Sequence, residues 1–241
     1  MIAPAMPPKR FRPRPLETGD ILTAAEFLRR WEELPELKKA ELIEGVVYLM
    51  SSPVTVQYHS EPDSLIQGWL CNYSLATPGV KSGVNGTLKL DAENVLQPDG
   101  ALRILAECGG RATLDEDGYL IAGPELVVEV SARSASAPLR DKLKVFARHG
   151  VPEVLIWRTA DAQVEWLRLS AGAYHRAAPD IRGVIRSEVF PGLWLNVPAL
   201  LRDDGATLMA TLNLGLNSPA HRTFVSKLAT RTSAKKARSR A

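Results

Sequence analysis

The chain has 241 residues, 45% of them apolar, and a formal charge of +3, which fits one globular domain of roughly 150–200 residues with unstructured ends. Its two cysteines, Cys71 and Cys108, show no C-x-x-C spacing, so a structural zinc site and a disulfide framework are not expected and both thiols read as reduced. No apolar run approaches the ~20 residues that span a bilayer, so a cytoplasmic protein without a membrane partner is expected.

Residues 1–18 are basic and proline-rich, with no apolar segment following them, and read as a disordered arm rather than a signal peptide. Thr23 is placed to cap a helix, with Glu26 completing a capping box. AAEFLRRWEEL follows, with Phe27, Leu28 and Trp31 on its apolar side, and Pro35 ends it. ELIEGVVYLM is rich in strand formers around Gly45 and reads as a hairpin or bent strand, stopped by Ser51-Ser52-Pro53. Leu65, Ile66, Trp69 and Tyr73 recur at helix spacing within residues 57–76. Residues 80–104 alternate as strands, and Ala106 to Gly123 reads as a long polar loop. PELVVEVSA is a compact apolar strand. A loop at 134–138 precedes a helix, LRDKLKVFARHG, that Gly150 terminates. EVLIW, AQVEWLRLS and AYHRAA read as strands, and FPGLWLNV closes the body. Trp157 and Trp166 belong to these strands and are expected in the core. This order predicts an α/β (α+β) fold, a mixed sheet flanked by helices.

The ends differ in charge from the middle. Residues 1–14 hold four basic residues and 222–241 hold seven, with no acid in either stretch. Nineteen basic residues face all 27 acids in between, a body near −8. The basic ends suit either an electrostatic arm for a polyanion or a solubilising tail. The segment around Leu214, Leu216, Phe224, Val225 and Leu228 is amphipathic enough for a short helix that docks on the body or on a partner.

Two acids fall where burial is expected. Asp99 lies in VLQPDGALRI, and Glu129 sits among Val127, Val128 and Val130. Period two puts Val127, Glu129 and Ser131 on one face of the strand. A buried carboxylate needs a cation. A hard metal ion is one solution, and a salt bridge to Arg103 or Arg140 is the other. Helix phasing adds a clue. At ~100° per residue, Leu139, Leu143 and Phe146 form the stripe that packs on the sheet. Lys142 lies about 60° from Leu139, at the stripe's edge, whereas Lys144 lies about 140° away and faces outward. Only Lys142 is placed to lean towards Glu129, although a lysine there can also extend to water.

AELIEG at 40–45, QPD at 97–99, ELVVEVSA at 125–132, DKLKVFARHGVPEVLIW at 141–157 and PGLWLNV at 191–197 together resemble the Uma2-type (DUF820) family of restriction-endonuclease type, in the PD-(D/E)XK nuclease superfamily. The resemblance covers roughly residues 20–202. It implies a nuclease-like domain at 19–202, followed by a C-terminal helix and basic tail at 203–241. It further implies that Asp99 and Glu129 hold Mg²⁺, with Mn²⁺ as a substitute, and that a lysine orients or activates the attacking water. The superfamily's usual lysine position holds Ser131, and the family's displaced lysine matches Lys142. Glu41 matches a further family acid, a ligand or a support to one, while Glu44 is the weaker match and is expected to face solvent. His59, Gln97 and Ser131 are accessory candidates, each with a plain alternative as a capping, backbone-pairing or surface residue. His149, beside Gly150, reads as a helix C-terminal residue. The family's Ser-Pro-Ser turn is SARSAS here, which keeps Ser131 and loses the proline.

The expected activity is Mg²⁺-dependent cleavage of DNA phosphodiesters, by a protein that the resemblance makes a candidate homodimer. A catalytically silent module that binds nucleic acid or protein is the alternative. No glycine-rich nucleotide loop and no G-x-S-x-G elbow is present, so a nucleotide cofactor and an α/β-hydrolase mechanism are not expected.

Overall fold

The structure, a computed structural model, describes residues 14–50, 55–132 and 137–238. Most of the N-terminal arm, the Ser51-Ser52-Pro53 stop, residues 134–136 of the expected loop and the last three residues lie outside these.

Helix α1 (Ala24–Glu32) begins at its cap, where Thr23 Oγ1 accepts from the Glu26 amide at 3.3 Å. ELIEGVVYLM folds as a hairpin of β1 (Ala40–Ile43) and β2 (Val46–Leu49). Its two turn residues, Glu44 and Gly45, both have positive φ, 52° and 75°. Such a turn matches the twist of the strands it joins. A π-helical turn, Val56–Ser60, opens the next helical stretch and runs into α2 (Glu61–Leu75).

Four strands follow: β3 (Val80–Val84), β4 (Leu88–Lys89), β5 (Val95–Leu96) and β6 (Gly100–Ile104). The expected polar loop at 106–123 is more ordered than its composition suggests. It holds a 3-10 turn at Ala106–Cys108 and a small hairpin of β7 (Thr113–Leu114) and β8 (Leu120–Ile121). Two-residue strands are too short to show alternation, and β8 is held by parallel pairing with β4.

The chain continues through β9 (Leu126–Ser131), α3 (Ala137–Arg148), β10 (Glu153–Arg158), β11 (Gln163–Ser170) and β12 (Ala173–Arg176). A pair of strands, β13 (Val184–Arg186) and β14 (Trp194–Asn196), then leads to α4 (Val197–Leu201), α5 (Gly205–Leu216) and α6 (Pro219–Arg238). The helix expected around Leu214–Leu228 falls on α5 and α6, and α6 carries the basic stretch on as helix to residue 238. Leu228 of α6 is buried, and His221 lies 3.0 Å from Thr77 Oγ1 and 2.8 Å from the Leu216 carbonyl. These contacts hold α6 against the body.

The mixed α/β architecture follows the sequence reading, but the strands divide into more than one sheet. The larger mixed sheet runs β12-β11-β10-β9-β6-β3, and a second runs β2-β1-β5-β4-β8-β7. Helix α3 is the crossover between parallel β9 and β10. Side chains alternate across the larger sheet. Leu102, Val128, Leu155 and Trp166 face a core shared with Trp69, Leu70 and Tyr73 of α2 and with Leu208 and Leu212 of α5. Val127, Val154 and Ile156 face the other way, against Leu139, Val145 and Phe146 of α3 and against Leu88 and Leu96 of the second sheet. Both cysteines are free, Cys71 exposed and Cys108 buried.

Candidate active site

The site lies on the α3 face of the larger sheet. Strands β6 and β9 are antiparallel with Gly100 opposite Val128. Continued by one residue, that register sets Asp99 opposite Glu129, and residues directly opposite share a face with Cβ atoms about 4.5–5.5 Å apart. The Val130 amide locks Asp99 by donating to Oδ2 at 2.7 Å.

Lys142 comes from α3, as helix phasing predicts. It is 4% exposed, whereas the Lys144 side chain is 75% exposed. Its Nζ lies 2.5 Å from Glu129 Oε1 and 2.8 Å from Glu41 Oε1. Glu41 reaches this point from β1 of the second sheet and is fully buried. The same Glu41 Oε1 also accepts from the Gln97 amide at 2.8 Å. Lys142 therefore ties the two sheets together through two carboxylates. Among the described residues, Glu41 Oε2 is a buried oxygen without a hydrogen-bond partner.

Burial raises the Glu129 carboxyl most. Lys142 opposes that shift, Asp99 and Glu41 add to it, and the net value stands at about 7. For Lys142, burial acts against the charge, but Glu129 and Glu41 outweigh it and raise the ammonium above its ordinary value. Both rise because the lysine faces two carboxylates while Glu129 faces one lysine and two further acids.

Lys39 was not among the sequence candidates. Its Nζ lies 2.6 Å from Asp99 Oδ1 and its side chain is 26% exposed. The signal for it is period two, since Lys39 stands two residues before Glu41 on the approach to β1. Gln67 of α2 was also missed. Its Nε2 donates to the Asp99 carbonyl and to Asp63 Oδ1, both at 2.8 Å. Burial raises the Asp63 carboxyl, and the Asp99 charge adds to that. No spacing within either segment foretells a contact between residues 32 apart.

The remaining candidates separate. Gln97 meets Glu41 through its amide, while its side chain donates to the Asn85 carbonyl at 2.9 Å. His59 is half-buried on the π-helical turn, near enough to Asp63 to work against the rise that burial causes there. Ser131 is half-buried at the end of β9, where its carbonyl accepts from the Thr159 amide at 2.9 Å. Glu44 pairs with Arg148 at 2.6 Å on the exposed side. His149 Nε2 lies 2.8 Å from Asp91 Oδ2 just past the end of α3. Neither Arg103 nor Arg140 forms an ion pair with Asp99 or Glu129 among the described residues; Lys39 and Lys142 take those places.

Oxygen donors of this kind suit a hard divalent cation. Among the described residues, however, no three His, Cys, Asp or Glu side chains are gathered to hold one. Magnesium needs no such triad, because it commonly takes one or two carboxylates together with water and substrate oxygens. Asp99 and Glu129, neighbours on one face, are the carboxylates that would hold it, with Lys39, the Val130 amide and Lys142 now bonded to their oxygens. The orphaned Glu41 Oε2 is the further oxygen available beside Lys142.

The fold that carries these residues is a mixed sheet crossed by the lysine-bearing α3. A solved structure from Anabaena variabilis, described as a putative nuclease belonging to DUF820, shares it, with a TM-score of 0.55 at 15% identity over 73% of this chain and 97% of that one. The Uma2 family, described as "Putative restriction endonuclease", matches residues 24–198, and the chain belongs to that family. No curated protein matches the chain. Among the described residues no helix is long and apolar enough to cross a membrane.

Proposed function

We propose that this chain is a metal-dependent endonuclease that hydrolyses DNA phosphodiesters, with Asp99 and Glu129 holding Mg²⁺ or Mn²⁺. The observation that carries this reading is the buried ammonium of Lys142 between Glu129 and Glu41, beside Asp99. A bound divalent cation would neutralise charge on the phosphoryl oxygens and make water acidic enough to attack. The protein's own groups do the rest. The Val130 amide and Lys39 orient Asp99. Glu41 keeps Lys142 protonated and directed at Glu129, so a fixed positive charge stands beside the cleavage point. Such preorganised charge stabilises the anionic transition state without reorganising solvent. Glu41 acts mainly as a positioning residue for Lys142, and its free oxygen keeps it a candidate ligand.

The test uses purified protein, plasmid DNA and Mg²⁺ or Mn²⁺. Nicking or cutting is expected, and Asp99→Ala, Glu129→Ala and Lys142→Ala are each expected to lose about 10²–10³ in rate or more. Full activity in all three variants rejects the assignment.

A silent binding module is the second reading, favoured by the protein partners that already occupy both Asp99 oxygens and Glu129 Oε1. Calorimetry with Mn²⁺ separates the two. No metal binding, with DNA binding retained, selects the module.

A further inference from the structure

We propose that Lys81 and Arg103 form a phosphate-binding subsite in a groove beside the carboxylates, gripping the polynucleotide backbone a few nucleotides from the cleaved bond. The proposal rests on the nuclease reading above and adds where the substrate runs.

Lys81 of β3 and Arg103 of β6 are direct cross-strand partners, as are Gly83 and Ala101. Val80, Leu102 and Ile104 of the same strands belong to the α2-side core, so these four residues occupy the opposite face, the one that carries Asp99 and Glu129. Here the larger sheet and strands β4, β7 and β8 of the second sheet flank a groove of about 380 Å³. Gly83 and Ala101 form its floor, Leu88 and Leu114 stand on its wall, and Lys81 and Arg103 lie along it. A Cβ built on Gly83 meets nothing within 4 Å, so the floor is open.

Like charges directly opposite on an antiparallel pair repel. Among the described residues, neither Lys81 nor Arg103 has an ion pair or a side-chain hydrogen bond to offset that. The neighbouring lysines are all neutralised: Lys39 by Asp99, Lys89 by Asp115, and Lys142 by Glu41 and Glu129. Two free cations side by side over a floor of small residues suit a phosphodiester. The arginine supplies a planar fork of donors and the lysine a mobile point charge.

The groove is tied to the site through the backbone. The Asn85 amide donates to the Asp99 carbonyl at 3.1 Å, and Gln97 Nε2 donates to the Asn85 carbonyl at 2.9 Å. Four residues of extended chain separate Asp99 from Arg103, roughly 13 Å. Along a duplex axis that is about four nucleotides of one strand. A strand that follows β6 from Asp99 and Glu129 would lay a flanking phosphate on this pair.

The experiment measures binding of a short fluorescein-labelled DNA duplex by anisotropy, with Ca²⁺ replacing Mg²⁺, across a salt series. It compares the wild type with Lys81→Ala/Arg103→Ala, Lys81→Glu/Arg103→Glu and Gly83→Phe. The alanine pair is expected to weaken binding about tenfold and to reduce the salt slope by about 1–2. The charge reversal is expected to weaken it further. Gly83→Phe is expected to weaken binding by filling the floor while leaving the charge unchanged. In cleavage assays the alanine pair raises KM and leaves kcat near the wild-type value, and Mn²⁺ binding by calorimetry is unchanged.

Wild-type binding and cleavage that persist unaltered in all the variants overturn the groove and leave the nuclease reading intact. A wild type that neither binds nor cuts duplex or single-stranded DNA overturns both. Loss of Mn²⁺ binding in the alanine pair, or displacement by polyglutamate as effective as by unlabelled DNA, also overturns the subsite.

Discussion

The two faces of the larger sheet are built from the same strands and each packs an apolar cluster, but only the α3 side sets a buried lysine between two buried glutamates. On the α2 side, Leu102, Val128, Leu155 and Trp166 join a closed apolar core, with Trp69 and Trp166 in an edge-to-face contact at 6.2 Å between ring centroids. The α3 side presents Glu129, one residue along β9 from Val128, Asp99 just before β6, and Lys142 from α3 itself, all buried. The first face gains from removal of apolar surface, about 25 cal/mol per Å². The second gains little from its charges, because desolvation offsets their attraction. The buried charges of the α3 face therefore add little to stability, unlike the apolar packing around them.

Removing Lys142 breaks this contrast most severely. Lys142→Ala leaves Glu129 and Glu41 buried without their cation and is expected to cost about 3–5 kcal/mol. The exposed Lys144→Ala, two residues away, is expected to stay within about 0.5 kcal/mol of the wild type. Urea unfolding reads both, and equal losses would show that Lys142 is not the buried partner. Neutralising the whole cluster sharpens the point. Lys142→Met combined with Glu41→Gln and Glu129→Gln is expected to recover most of that stability, to within about 1–2 kcal/mol of the wild type, while the Mn²⁺ binding heat disappears. Failure to recover would mean that the cluster stabilises the fold outright.

A smaller effect follows from pH. The Glu129 carboxyl stands at about 7 in the fold against an ordinary 4.5. An acid raised by folding binds more protons folded than unfolded. Its stabilising contribution is complete below about pH 4.5 and is lost as pH rises through about 7. Between about pH 5 and about pH 8, the wild type is expected to lose stability relative to Glu129→Gln, on the order of 1 kcal/mol per pKa unit. Parallel curves for the two proteins would contradict this. The smallest effect is expected at Lys39, whose pair with Asp99 is partly open to solvent. Lys39→Ala is expected to cost about 0.2–1 kcal/mol in urea unfolding.

Much of this site is legible in the chain because its members sit in segments with strong local patterns. Glu129 interrupts an apolar strand, and Lys142 lies at a definable angle on an amphipathic helix. Period and phase therefore place both before any contact is known. Glu41 was reached through family resemblance, since nothing within AELIEG says that its carboxylate meets a lysine 101 residues later. Lys39, Gln67 and the Lys81–Arg103 pair were missed for the same reason, because each acquires its meaning from a partner on another strand or helix. The hairpin at residues 113–121 is not legible because two-residue strands have no period to read, whereas the helix expected around Leu214–Leu228 is present but falls on two helices, α5 and α6, the second running on through the basic stretch.

What the sequence determined by itself is the face each side chain takes, because alternation along a strand and rotation about a helix are local geometry. It thereby set Glu129 apart from Val128 and Lys142 apart from Lys144. Only the tertiary structure decided which faces meet. The register of β6 on β9 put Asp99 opposite Glu129, and the approach of the second sheet delivered Glu41 to Lys142. These pairings come from backbone hydrogen bonds and packing between distant segments, whose free energies depend on the whole fold and leave no periodic trace in the chain.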